Sequence, residues 1–311
     1  MRRALTIAAV LTALILPWLL SRSAQNVLVF ACLYAIAALG VGLLMRTCGI
    51  FNVGQAFFYG VGAYSSALLS SGLGAPWPFG ILAGAMLSGA IALLLGWPIL
   101  RLTGYFLALA TLALTIIGNA LFYEWDWLTG GTLGIGGIPK IAVANVVFDT
   151  PLKFYYLSFL VLMASLYLAN NLIHSRTGLM LRGLHGSAEA AASLSIDAQR
   201  LRTQMFVFSA MLGSLSGSLL AHYGSFVNVE SFDVAKSIVF LLIPVLGGTK
   251  SLIGVLVGAI FVTLMPDVLS SFGQLHQVLF GVALVVVVTL MPDGIMGFVD
   301  RRLAWARLRP H

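Results

Sequence analysis

The side chains that could do chemistry are scattered polar residues in or beside long apolar runs. No Asp, Glu, Lys or Arg falls deep within a run: Asp267 and Lys153 lie at the edges of runs, and His222 and His276 near their ends. Covalent catalysis needs a nucleophile beside a base that a third group orients, and the residues outside the runs offer no such set. The sequence therefore predicts no enzyme and no metal site, and His222 and His276 are interpreted as interfacial polar residues.

Two glycine-rich stretches imitate nucleotide-binding motifs. The stretch Gly247–Ser251 resembles the end of a P-loop, but Thr249 stands directly before Lys250, where that loop requires glycine. Gly134–Gly137 is followed by Pro139 and opens no strand–helix unit, so it is not a dinucleotide fingerprint. The chain is thus expected to bind no cofactor, and any ATP must be used by a partner.

The two cysteines, Cys32 and Cys48, lie within and at the end of apolar runs and lack metal-site or redox spacing. Both are interpreted as space-filling residues. The net charge of +7 comes from basic residues placed between apolar runs. This distribution is typical of membrane topology signals and argues against a nucleic-acid partner.

Several polar residues do lie inside or beside the runs and are candidates to line a solute path. A polar group that faces lipid without a partner costs several kcal/mol, so these side chains should face the protein interior. There they could contact a solute or form hydrogen bonds between helices, and both interpretations stay open. The candidates are Asn52, Gln55, Tyr64, Thr111, Thr115 and Asn119.

The elements that must position these residues are membrane spans. The 311-residue chain is 60% hydrophobic and 9% charged, against about 25% charged residues in an average soluble domain. We predict an all-α, polytopic transmembrane bundle of about ten spans that forms a single domain over residues 1–311. The predicted spans are 5–20, 27–45, 53–70, 79–100, 104–123, 154–173, 203–223, 237–248, 252–269 and 276–292.

Charge decides the number of spans and their orientation. With ten spans and a cytoplasmic N terminus, thirteen of the 17 Lys and Arg residues fall on the cytoplasmic side. Nine spans would place the C-terminal arginines outside. The N and C termini and the loop 174–202 are therefore expected inside, and the loop 124–153 outside. The first run also resembles a secretory signal peptide, and its cleavage would leave nine spans with the same orientation.

The arrangement of the spans suggests internal packing and symmetry. Small residues at helical spacing, namely Gly80 and Gly84, Gly213 and Gly217, and Gly254 and Gly258, are expected to let helices approach closely. Five spans on each side of the outer loop would form two halves of opposite orientation, as in transporters with inverted repeats.

The energy source has to be inferred from what the spans lack. Carriers driven by protons or sodium usually keep ionisable residues at membrane depth, and these spans have none there. This absence argues against a self-powered carrier, so energy must come from a separate partner or transport is passive. A carrier that holds sodium through carbonyls and hydroxyls also stays open. The long inner loop could bind such a partner. The segment Ala188–Ala192 near its centre has high helix propensity.

Three segments resemble the LivM-type permeases of branched-chain amino-acid importers in the ATP-binding-cassette superfamily. The resemblance extends from about residue 27 to residue 300. The first segment is Asn52–Phe58 with Gly60–Tyr64. The second is Arg101–Leu109 with Leu128–Pro139. The third is the inner loop from Ser175 to Asp197.

This resemblance implies a bacterial inner-membrane permease subunit for branched-chain or related amino acids. Its expected partners are a second homologous permease, two cytoplasmic ATPases and a periplasmic solute-binding protein. A urea or short-amide importer of the same family is the alternative. The inner loop is similar to the Glu-Ala-Ala loop that docks on the ATPase, with Ser195 where glycine is usual. The coupling residues implied are Arg182, Glu189, Ala190, Ala191, Leu194 and Ser195.

Overall fold

The chain is a bundle of α-helices, as the apolar runs predict. The computed structural model describes residues 12–143, 146–186, 197–249, 251–269, 275–291 and 294–298. Its main helices are α1 (12–19), α2 (Arg22–Cys48), α3 (Gln55–Ala67), α4 (Trp77–Ile99), α5 (Gly104–Glu124), α6 (Pro151–His174), α7 (Arg176–Gly186), α8 (Ala198–Gly224), α9 (Val234–Gly247), α10 (Leu252–Leu269) and α11 (His276–Leu290).

Local sequence signals set where several helices begin and end. The hydroxyls of Ser21 and Thr150 accept hydrogen bonds from backbone N–H groups in the first turns of α2 and α6. The carboxylates of Asp197 and Asp233 do the same for α8 and α9. Such N-caps satisfy N–H groups that have no partner within the helix. At the other end of α2, Gly49 adopts the left-handed conformation that terminates helices.

Six of the described helices are long and apolar enough to cross a membrane, and they form two layers. In the most apolar 18-residue segments of α2 and α8, 78% and 72% of the residues are buried, so these helices form the centre. In the same segments of α4, α5, α6 and α10, only 28–33% of the residues are buried, so apolar side chains cover the outside. An apolar exterior around a buried core is what lipid as the solvent requires. The helices α3, α9 and α11 are shorter, so the count of ten spans stays a prediction.

Helix packing is reciprocal between the two halves of the chain. Helix α4 packs on α8 and α10 packs on α2, while α3 packs on α4 and α9 on α10. The long central helix of each half, α2 or α8, is thus matched by a short helix, α3 or α9. This pairing supports the prediction of two related halves around the loop that follows α5.

Helices α3 and α8 approach each other through their backbones. A Cβ atom added at Gly62 would overlap the Ser214 carbonyl, and one added at Gly217 would overlap the Tyr59 carbonyl. Gly217 belongs to a pair predicted to pack helices, and its partner Gly213 faces the Gln55 side chain. Glycine is therefore needed here because the helices touch through their backbones.

The two long loops carry their own structure. After α5 the chain forms a one-turn helix, Asp126–Thr129, and strand β1 (Ile135–Gly136), which pairs antiparallel with β4 (Phe226–Val227) after α8. A small hairpin of β2 (Ala142–Val143) and β3 (Val146–Val147) follows β1. On the opposite side, helix α7 occupies the first part of the predicted loop 174–202. Residues 198–202, the predicted end of that loop, form the first turn of α8.

Candidate functional site

The centre of the bundle contains the start of a short helix. After Gly49 the chain turns back into the protein, and α3 begins at Gln55 against the middle of α2, α5 and α8. The Val53 N–H donates to Thr111 Oγ1 at 3.1 Å, and the Ala56 N–H donates to Ser237 Oγ at 2.9 Å. The Gly54 N–H donates to Asn52 Oδ1 at 2.8 Å. Side chains from three elements thus satisfy a helix N-terminus that lies inside the protein.

Gln55 ties this helix start to the two central helices. Its Nε2 atom donates to the carbonyl oxygens of Ala37, at 2.9 Å, and of Ser209, at 3.0 Å. Its Oε1 atom accepts from Asn52 Nδ2 at 3.1 Å and from Ser209 Oγ at 3.3 Å. Every hydrogen-bonding direction of this fully buried carboxamide is therefore occupied by protein.

Thr115 completes what we call the central polar network: Asn52, Gln55, Thr111, Thr115, Ser209 and Ser237. Its hydroxyl donates to the Val53 carbonyl at 2.8 Å and lies 3.1 Å from Ser237 Oγ. Four of the six predicted path residues thus come together, all fully buried. Sequence reasoning missed Ser209 and Ser237, and the only available signal was a hydroxyl within an apolar run.

Tyr64, the fifth predicted residue, belongs to an aromatic cluster formed by Tyr59, Tyr64, Phe122, Phe232 and Phe240. The Tyr64 ring centroid lies 5.0 Å from that of Phe122 and 5.5 Å from that of Phe232. Tyr59 continues the cluster towards Phe232 at 5.7 Å and Phe240 at 5.1 Å. Tyr64 is 3% exposed, and its hydroxyl has no hydrogen-bond partner among the residues described.

Asn119, the sixth, is half-buried and stands apart from the network. Its Nδ2 atom donates to the Val229 carbonyl at 3.1 Å, which joins α5 to the segment between α8 and α9. It lines a cavity of about 510 Å³ where α5 ends and α9 begins. We call this space the acidic cavity, and its lining residues are Asn119, Tyr123, Thr132, Val229, Glu230 and Asp233.

These three features lie one after another along α5. Thr115 is in the central polar network, and Asn119 is one helical turn further on, at the acidic cavity. Phe122 and Phe232 of the aromatic cluster adjoin in sequence the cavity residues Tyr123 and Asp233. The aromatic cluster therefore adjoins the acidic cavity.

His222 fastens the loop after α5 to this end of the bundle. It is 1% exposed and lies in the last turn of α8. Its Nδ1 atom lies 2.7 Å from the Pro139 carbonyl oxygen and its Nε2 atom 2.9 Å from Ser66 Oγ. A carbonyl oxygen can only accept, so Nδ1 carries the proton, and in the neutral ring Nε2 accepts from Ser66. His222 thus has a structural role that joins α3, α8 and the loop.

The described core excludes acidic side chains, lysine and arginine. No Asp, Glu, Lys or Arg among the described residues is buried. In the same part of the chain, no three His, Cys, Asp or Glu side chains come together to hold a metal ion. Cys32 and Cys48 are both buried and form no disulfide, as space-filling residues would.

The family described as "Branched-chain amino acid transport system / permease component" matches residues 23–288, most of the chain. The chain belongs to this permease family. As a permease it is a transport component and not an enzyme, and its apolar helices make it a multi-pass membrane protein.

Individual relatives agree with this assignment. The permease is 29% identical over 315 residues to the high-affinity branched-chain amino acid transport system permease protein LivM of Escherichia coli (strain K12). That match covers 93% of this chain and 74% of the relative. LivM of Salmonella typhimurium is likewise 29% identical, over 93% of this chain and 73% of its own length. The probable ABC transporter permease protein YphD of E. coli is 35% identical over 111 residues, 33% of each chain. No solved structure matches the permease.

The predicted ATPase-coupling residues are largely outside the described part of the chain. Glu189, Ala190, Ala191, Leu194 and Ser195 lie outside the described residues. Arg182 lies in α7, for which the backbone course is described. The coupling role of this set stays a prediction.

Proposed function

We propose that this permease forms the membrane part of an ATP-driven importer for branched-chain or closely related amino acids. The family and the LivM relatives, whose printed names specify branched-chain amino acid transport, support this substrate class. The observation that carries a transport role is a short helix starting inside the bundle beside a polar network. Broken helices of this kind are used by transporters to bind solutes at membrane depth.

The closed interior fits a pathway that is opened by a partner. Both the central polar network and the aromatic cluster are buried, so solute passage through this part of the bundle requires their side chains to move. The described spans contain no buried carboxylate or amine that could couple a proton or a sodium ion to such movement. ATP hydrolysis by separate subunits is the remaining energy source that the family supports.

The proposed assembly contains a second homologous permease, two cytoplasmic ATPases and a periplasmic solute-binding protein. The inner loop around Glu189–Ser195 would contact the ATPase, and the termini would lie in the cytoplasm. The permease would sit in the bacterial inner membrane, surrounded by lipid. It would bind no cofactor itself, and ATP would be used only by the ATPase subunits.

The test is reconstitution of the permease pair and the binding protein in liposomes, with and without the ATPases. We expect concentrative leucine uptake only with the ATPases and internal ATP. A matched complex whose ATPases cannot hydrolyse ATP should accumulate no solute. Equal leucine uptake in all of these liposomes would refute the importer and favour a passive channel.

A further inference from the structure

A groove opens on the side of the bundle where α6, α7 and α8 meet. It has a volume of about 230 Å³. Gln204 and Met211 in its lining are exposed, and Val207 and Phe208 are half-buried, so the groove faces the surroundings of the bundle. We call it the α6–α8 groove, and its lining residues are Leu172, Thr177, Gln204, Met205, Val207, Phe208 and Met211.

The polarity of the α6–α8 groove changes along α8. Thr177, in the first turn of α7, and Gln204, in the second turn of α8, bring a hydroxyl and an amide to one end. The lining that follows along α8 is apolar and contains Val207, Phe208 and Met211. The groove therefore has a polar end beside α7 and an apolar body that extends away from it.

Two arginines add positive charge at the polar end. Arg176 directly precedes Thr177, and Arg200 lies one turn before Gln204 on the stripe of α8 that lines the groove. Both are exposed, and neither forms an ion pair with any described residue. Asp197 accepts the backbone N–H of Arg200 and not its guanidinium. The planar guanidinium group matches the geometry of a phosphate, so this end of the groove suits an anion of that kind.

The depth of the groove matches one leaflet of a bilayer. Helix α8 has 27 residues and is about 40 Å long, which exceeds the roughly 30 Å hydrocarbon core. Its first turns, with Arg200, therefore lie at the level of the lipid headgroups. Met211 lies about 16 Å beyond Arg200 along the helix, close to the roughly 15 Å depth of one leaflet. On α7, Leu179 and Met180 are exposed apolar side chains of the kind that enter the membrane interface.

We propose that the α6–α8 groove binds an anionic phospholipid, with its phosphate at Arg176 and Arg200. One acyl chain lies along the apolar body of the groove and reaches Met211. With the predicted orientation of the chain, the lipid comes from the cytoplasmic leaflet, whose anionic headgroups attract basic residues beside membrane spans. The lipid would tie α7, the first part of the loop predicted to contact the ATPase, to the ends of α6 and α8.

The test places a bimane fluorophore on Met211→Cys, at the apolar end of the groove, in the full-length permease. Phosphatidylglycerol with brominated acyl chains is titrated as a quencher into phosphatidylcholine vesicles, and brominated phosphatidylcholine is titrated in parallel. Each arginine should raise the affinity for an anionic lipid about fivefold, so the two should favour phosphatidylglycerol by about 25-fold. Cys32 and Cys48 are buried, and the unsubstituted permease measures their background labelling.

Leu87→Cys is the matched control reporter. Leu87 is exposed on α4 outside the groove, two residues from Gly89, which faces Met211, so the two reporters lie at similar depth. At Leu87→Cys the two brominated lipids should quench equally.

Changes of charge identify the recognised group. Arg176→Gln and Arg200→Gln should each lower the preference for phosphatidylglycerol at Met211→Cys about fivefold, and both together should remove it. Arg176→Lys and Arg200→Lys keep the charge and should keep most of the preference. The cap at the start of α8 is retained in all these variants, because Asp197 binds a backbone N–H. If the double variant does not fold, the two single variants decide the result.

Several outcomes would overturn the proposal. Equal quenching by the two lipids at Met211→Cys, or the same preference at Leu87→Cys, would show that the groove selects no anionic lipid. Quenching at Leu87→Cys but not at Met211→Cys would mean that protein covers the groove. Loss of the preference in the assembled importer would assign the groove to a partner subunit. None of these readouts depends on leucine uptake, so the lipid site and the proposed function can fail separately.

Discussion

Replacing Gln55 with leucine should destabilise the permease strongly, because this side chain holds α2, α3 and α8 together. Four hydrogen bonds are lost, two to carbonyls and two from Asn52 and Ser209. Hydrogen bonds between membrane helices contribute about 0.6 kcal/mol each, which gives roughly 2.4 kcal/mol. The Asn52 amide left unpaired in the core adds about 1–3 kcal/mol. We therefore expect a loss of about 3–5 kcal/mol in the free energy of unfolding.

Unfolding of the purified permease in mixed micelles by increasing detergent mole fraction would measure this loss. Gln204→Leu is the matched control, since Gln204 lies exposed on α8 and its replacement should change stability by less than about 0.5 kcal/mol. Adding Ser209→Ala to Gln55→Leu removes one orphaned hydroxyl, so the double variant should lose less than the sum of the single variants. A Gln55→Leu permease as stable as the wild type would refute the structural role of the network. Loss of transport alone, with stability unchanged, would favour direct contact between Gln55 and solute.

Three other perturbations test separate features. Gly217→Ala should force α3 and α8 apart and lower the free energy of unfolding by about 1–3 kcal/mol. Gly281→Ala is the control and should be neutral, because open space surrounds Gly281. Equal stability of the two variants would contradict the backbone contact. Ala191→Arg should abolish co-purification of the ATPase and ATP-driven uptake while membrane levels stay normal, and unchanged assembly and uptake would rule out the coupling role. In intact cells, an impermeant thiol reagent should label Leu133→Cys but neither Gly186→Cys nor Arg309→Cys, and external labelling at either of the last two positions would overturn the ten-span topology.

The sequence by itself determined the class of protein and the course of its helices. The hydrophobicity of a segment depends only on its own residues and shows whether the segment can lie in lipid. The 60% apolar composition and about ten apolar runs were therefore enough to predict a helical membrane bundle. Caps such as Asp197 and Asp233 also act within a few residues of their position. The inward orientation of Asn52, Gln55, Thr111 and Thr115 followed from the cost of placing polar groups in lipid. Family resemblance then gave the transport class.

Only the tertiary structure decided what these polar residues touch. Gln55 meets Ser209 across 154 positions of sequence, and the Ala56 N–H meets Ser237 across 181. No local pattern encodes such pairs, because they depend on how α8 and α9 pack against α3. The acidic cavity likewise brings together residues distant in sequence: the Asn119 amide on α5 donates to the Val229 carbonyl, and Glu230 and Asp233 line the same space. Hydropathy places each helix in the membrane, but packing between distant helices decides which polar groups satisfy one another and which are left for a solute.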